Sequence, residues 1–309
     1  MGDDFGLILA VTNAHSEGDQ SMTMDRREVI KLGTAATLGA VLPSVARATP
    51  QNAAFEASYD DVLQRLRTGL NAQGLQEAAP LSIVSGDPAY NGGLRHDFDQ
   101  SALPQGGFVI QPLARVEDIG ERDRADVLPI FHEVGCHPPD DLDKAAQTRM
   151  LIRLLTEEFG LDPARLAFVS VPASEEMRPV LDEVGLPFSE KVILRDAEEA
   201  FEARDGSGYF FPNPDGEDFF VTMGVYYRVG ETDEPAPSAY PASANWTELG
   251  EIVIAGETAP LGVSLGAERL ALAVSGQFPT WDERLGQLFA QVESDAGGSG
   301  EPAGVAAFR

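Results

Sequence analysis

Cysteine occurs once in 309 residues, at Cys136. A single thiol excludes an intrachain disulfide and any zinc site built from several cysteines. Lysine is almost as scarce: Lys31, Lys144 and Lys191 stand among 22 basic residues, against 50 Asp and Glu. The resulting net charge of -28 makes nucleic acid and anionic membrane surfaces poor default partners. It is the balance expected of a surface adapted to high salt. No fixed-period repeat is visible, which excludes solenoids and propellers. Long apolar runs are missing too; the stretch 32–45 is short and rich in Gly and Ala, unlike a permanent membrane span. What is present is a 43% hydrophobic composition, enough to bury a sizeable core in one large domain.

The N-terminal region reads as an address. Asp25-Arg26-Arg27-Glu28-Val29-Ile30-Lys31 resembles the twin-arginine export signal. The mildly apolar run follows it, and Ala46-Arg47-Ala48 then supplies the small-x-small pattern of a signal-peptidase site. Residues 1–48 are therefore expected to be a leader directing export to the periplasm or the outside, with Met22 or Met24 as alternative starts. The other reading is an amphipathic N-terminal helix in a cytoplasmic protein.

Apolar periodicity predicts a helix over 55–70, where Phe55, Val62, Leu63, Leu66 and Leu70 share a face. Strand-like runs follow at 81–84, 108–116 and 127–134, with a Pro/Gly-rich loop over 86–107. Asp140 or Asp141 is positioned to cap a helix reaching Phe159. Residues 166–171 read as a buried strand, 174–184 as helix, 191–194 as strand and 216–229 as strand or hairpin. The stretch 231–245 reads as loop, 248–254 as strand, and 266–275 and 281–293 as helices. The tail from Asp295 is Gly/Ser/Pro/Ala-rich and is expected to be disordered. Strands in succession with helices inserted, rather than regular βαβ alternation, predict an α+β fold with a mainly antiparallel sheet.

The segment 262–276 carries the strongest chemical signal. A β-prone, glycine-punctuated stretch runs into an apolar helix, with Glu268 and Arg269 in its first turns. An arginine on rigid secondary structure beside an opened backbone suits a polyphosphate, because its planar fork is always charged and binds oxygens in pairs. This segment resembles the third signature motif of class II aminoacyl-tRNA synthetases, and the alanyl form most of all. Three other stretches carry the same resemblance. Gln111-Pro-Leu-Ala-Arg-Val-Glu-Asp-Ile-Gly120 is similar to the family strand that ends in an acidic-x-Gly turn. Phe131-His-Glu-Val-Gly135 is similar to the second motif, and 142–166 to the family helix with its Leu-x-Pro-x-Arg-Leu turn.

The resemblance covers about residues 55–293 and implies a single class II synthetase-like domain that uses ATP and Mg²⁺ to adenylate an amino acid or similar small carboxylate. It implies that Arg269 holds the tail of a bent ATP. Arg124, with Arg122 as the alternative, matches the second-motif arginine that grips the α-phosphate and the reacting carboxylate. Glu133 and Glu268 fall on the ATP or Mg²⁺ side, and Glu251 and Gly262 on the substrate side. Acidity and the lack of a basic helix argue against autonomous tRNA binding, so the acyl acceptor stays open. The chain also departs from the pattern. Gly262 stands where the alanyl enzyme has the Asp that holds the substrate ammonium, Gly250-Glu251 replaces a Trp-Asn pair, and Phe211-Pro-Asn-Pro-Asp-Gly216 replaces a cysteine-containing loop. Glu251 is the candidate to restore the missing negative charge.

Two other readings stand beside this one. An exported binding domain could keep the fold without the chemistry. An exported zinc hydrolase could use His132, Cys136 and His137, which resemble a His-Glu-x-x-His pattern with the second His one place late.

Overall fold

The computed structural model describes residues 50–85, 94–95, 103–115, 120, 127–137, 139, 143–211, 219–231, 235–236, 245–255 and 262–299. All of them belong to the compact unit Ala48–Arg309. The leader reading, over 1–48, lies outside the described residues. Helix α1 (Pro50–Ala72) is longer than its apolar periodicity predicts. Phe55, Tyr59, Val62, Leu66 and Leu70 recur at three- and four-residue steps along one side, and all are buried.

A two-residue strand β1 (Gln76–Glu77) leads to β2 (Gly107–Ala114) and β3 (Ile130–His137). The run 81–84 contributes only an isolated bridge, Val84 to Leu94. The backbone of Leu81 is held instead by the buried amide of Gln111, which accepts from its N–H at 2.8 Å and donates to its carbonyl at 3.0 Å. Helix α2 (Lys144–Arg153) is capped by Asp143, whose carboxylate accepts from the Ala146 N–H. The expected caps Asp140 and Asp141 lie outside the described residues. A π-helical turn, Leu154–Glu158, continues α2 to Phe159.

Beyond it come β4 (Leu166–Ser170), a 3₁₀ turn (Pro172–Met177), α3 (Arg178–Glu183), α4 (Phe188–Lys191) and β5 (Val192–Leu194). Helix α5 (Ala197–Ala203) was not anticipated; Asp196 caps it by accepting from Glu198 and Glu199 N–H. Strands β6 (Tyr209–Phe210), β7 (Phe220–Arg228), β8 (Trp246–Ala255) and β9 (Val263–Gly266) follow. Helix α6 (Ala267–Ser275) leaves β9 without an intervening loop and ends at Gly276, whose φ of 71° is the left-handed C-cap that glycine adopts without strain. Helix α7 (Trp281–Ser299) continues past Asp295, where a tail is expected, and Asp295 accepts a bond from the Ile83 N–H.

Among the described residues nine strands form one sheet in the order β1-β2-β3-β9-β8-β7-β4-β5, with β6 on β7. Only β1–β2 and β4–β5 are parallel. The α+β class with a mainly antiparallel, helix-flanked sheet is therefore as expected. No helix among the described residues is long and apolar enough to cross a membrane.

The two faces of this sheet differ, because successive strand residues point to opposite sides. Phe108, Val134, Leu265, Leu249, Val225 and Phe168, one from each of six strands, join the main core. That core also contains Leu66 of α1, Leu151 of α2 and Leu270 of α6. Each such fully buried leucine contributes roughly 1.5–3 kcal/mol. The residues between them belong to the other face, which is mixed. Val109 and Leu113 of β2 form a small apolar cluster with Leu103, against which Phe131 of β3 packs. Glu133, Gly135, Ser264, Gly266, Glu251, Thr222 and Gly224 make the middle of this face polar or glycine.

Candidate functional site

The register lines up the polar face. Glu251 of β8 pairs with Ser264 of β9 on one side and Gly224 of β7 on the other. Ser264 pairs in turn with Gly135 of β3, and Glu133 pairs with Gly266. The Ser264 hydroxyl donates to Glu133 Oε1 at 2.8 Å. Two carboxylates, Glu133 of β3 and Glu251 of β8, thus lie on the two strands that flank β9 and its Ser264, over a floor where Gly135, Gly224 and Gly266 supply no side chain.

Beside them is Glu248, set opposite Tyr226 next to a β-bulge between Val225 and Tyr226. The bulge depends on Gly250. A Cβ there would fall 1.9 Å from the Ser264 carbonyl oxygen, so only glycine allows β9 to approach this closely. Arg269 leaves the first turn of α6 with its stem over Gly266, where a Cβ would meet Arg269 Cδ at 3.6 Å. Its Nη1 donates to Glu248 Oε2 at 3.1 Å and reaches the Glu248 carbonyl at 3.4 Å. A second guanidinium comes from Arg115, directly after β2, and stacks 4.9 Å above the Phe131 ring. Burial pushes the Glu248 carboxyl above its usual range, while the charges of Arg269 and Arg115 and the Tyr226 hydroxyl pull it back. Glu248 is therefore paired with Arg269 and also feels the positive charge of Arg115, from a distant part of the chain.

Arg269, Glu133 and Glu251 are brought to one face of the sheet. Gly262 is buried just before β9, and its carbonyl accepts from the Val253 N–H at 3.0 Å. Arg122 and Arg124 lie outside the described residues. Glu268, expected on the nucleotide side, is turned to the opposite face and is 1% exposed. Its carboxylate accepts from the Tyr59 hydroxyl at 3.0 Å and the His132 N–H at 2.9 Å, and it pairs with Arg284 at 3.3 Å. The Tyr59 hydroxyl also meets His132 Nδ1 at 2.6 Å. Burial pushes the Glu268 carboxyl up, but His132 and Arg284 outweigh it and leave the group below its usual range. The physical reason is geometric: adjacent helical residues point about 100° apart, so Arg269 and Glu268 cannot serve one face together.

His132 and His137 are five residues apart on strand β3 and so point to opposite faces. His132 joins the buried network, and His137 Nδ1 contacts the Leu103 carbonyl at 2.9 Å. The zinc-hydrolase arrangement is not formed by these two side chains.

Three residues of the polar face were missed in the sequence. Arg115 lies inside the quoted stretch from Gln111 to Gly120; the signal for it was its place directly after a buried, mostly apolar strand. Glu248 and Tyr226 gave no signal, because only the register of β7 on β8 pairs them. Chemically, the guanidiniums suit an oxyanion such as phosphate or carboxylate, and Glu133 and Glu251 suit an ammonium or a hard divalent cation. No protein-family model matches the chain, and no curated protein matches it.

Proposed function

We propose that this domain activates an amino acid or similar small carboxylate with ATP, in the manner of a class II synthetase catalytic core. The supporting observation is the Arg269–Glu248 pair beside Glu133 and Glu251 on one face of an antiparallel sheet, with the charge of Arg115 also acting on the Glu248 carboxyl. The β2–β3 hairpin lies directly beside the β9–α6 unit, which is the adjacency a shared nucleotide site between the second and third motifs requires. On this reading Arg115 is the partner candidate for Arg269 among the described residues, and Arg124, which lies outside them, stays the second-motif candidate.

In the reaction a substrate carboxylate oxygen forms a bond to the α-phosphorus. The bond from that phosphorus to the bridging oxygen breaks, and pyrophosphate leaves with the electron pair. Arg115 and Arg269 hold phosphate oxygens and stabilise the charge that builds between them, which is catalysis by positioning and electrostatics. Glu133 and Glu251 are oxygen donors of the kind that Mg²⁺ takes, and when bound the ion neutralises polyphosphate charge. Glu133 would hold it, leaving Glu251 for a substrate ammonium. Glu268 does not fit that role, because its oxygens are engaged on the other face.

The test is carboxylate-dependent exchange of labelled pyrophosphate into ATP, with Mg²⁺ and at high salt. Exchange supports the assignment, and ATP binding without exchange supports the second reading. That second reading, a binding domain without catalysis, is favoured by one observation: Arg269 is already paired with a carboxylate of its own chain.

A further inference from the structure

We propose that Glu248 is an internal placeholder for a substrate phosphate, occupying Arg269 until a nucleotide displaces it, and that it sets the affinity of the site. The inference rests on the adenylation reading and adds a control element to it.

The contact is built rather than incidental. The side chain and the carbonyl of Glu248 both reach Arg269 Nη1, at 3.1 and 3.4 Å. The bulge held by Gly250 sets where Glu248 leaves β8. Gly224 beneath it leaves room for the carboxylate, since a Cβ there would come within 3.3 Å of Glu248 Oε1 and 3.0 Å of the Tyr226 ring. A carboxylate and a phosphate present the same oxygen pair to a guanidinium fork, so one can replace the other. The pair is also reachable: the side chains of Arg269 and Glu248 are 24% and 16% exposed. In a deeply buried structural pair neither group would be open to exchange. A phosphate approaching Arg269 meets Glu248 as a like charge, and binding requires the carboxylate to withdraw.

The test is calorimetric titration of the full chain with ATP and Mg²⁺, and separately with inorganic tripolyphosphate and Mg²⁺. Wild type, Glu248→Gln and Glu248→Asp are compared, each also in an Arg269→Ala background. With competition removed, Glu248→Gln binds both probes about tenfold more tightly, and the gain vanishes when Arg269 is absent. Glu248→Asp keeps the charge at shorter reach and falls between. If wild type binds and Glu248→Gln binds equally or more weakly, Glu248 positions the arginine instead and the inference is overturned. If no form binds either probe while all retain native circular dichroism, the adenylation reading fails, and the placeholder with it.

Discussion

Glu268→Ala removes the one carboxylate on which Tyr59, His132 and Arg284 converge. It is the sharpest available perturbation of the core beneath the polar face. Arg284 is 3% exposed and lies 4.9 Å from the Tyr59 ring centroid and 5.1 Å from that of Phe55. Its other polar neighbour is Gln287, which in turn donates to Glu56. Without Glu268 its charge stays buried with no other carboxylate in ion-pair contact among the described residues, and Tyr59 and the His132 N–H lose their shared acceptor. Removing one partner of a buried ion pair costs about 3–5 kcal/mol. Against a total stability on the order of 5–15 kcal/mol, the loss is large.

The sign with pH is equally definite. Interactions hold the Glu268 carboxyl below its ordinary value of 4.5, so its contribution is fully present above that value. It is lost as pH falls through the depressed folded value. Urea unfolding of wild type and Glu268→Ala at a series of pH values, at constant high salt, reads this directly. The difference between the two should be greatest near neutrality and shrink in acid. A difference under about 1 kcal/mol at neutral pH would mean the network is solvated and would refute the reasoning. A difference that grows on acidification would refute it as well.

Other outcomes follow from single positions. Gly250→Ala forces a Cβ into the Ser264 carbonyl 1.9 Å away, so thermal unfolding should shift down by several degrees or the fold should fail; an unchanged midpoint would contradict the close approach. Burial pushes the Cys136 thiol up to about 12, so iodoacetamide at mildly alkaline pH should label it only after denaturation, as mass spectrometry of native and unfolded protein would show. If residues 1–48 are an export leader, N-terminal sequencing of protein secreted by its host should begin just after Ala48, and an intact Arg26-Arg27 pair on the mature protein would refute that reading.

The parts of the fold that local rules govern were legible. The β9–α6 junction is legible because Gly266 and Gly276 bracket an apolar run with clear helical spacing. The antiparallel core was legible from the strand-like runs ending in β8 and β9. Boundaries were not: Asp140, Asp141 and Asp143 are equally good caps in sequence, and only the packing of α2 puts Asp143 where it accepts from Ala146. Helix α5 is short and depends on the Asp196 cap, with one fully buried residue, Ala200, so periodicity carried almost no signal.

The site was legible in its arginine chemistry and not in its directions. Glu268, in the first turn of a helix, looks like an exposed residue suited to the N-terminal dipole. It is buried because Tyr59, His132 and Arg284 arrive from three remote segments to satisfy it. Glu248 takes its meaning only from register and a bulge, neither of which a single sequence displays.

The most direct test of the central claim is titration of folded protein at high salt with ATP and Mg²⁺, comparing wild type with Arg115→Ala and Arg269→Ala. The account predicts saturable binding by wild type and at least about tenfold weaker binding by each variant, a loss on the order of 1.4 kcal/mol apiece. Absence of binding by wild type, or arginine variants that bind as tightly as it does, would contradict it.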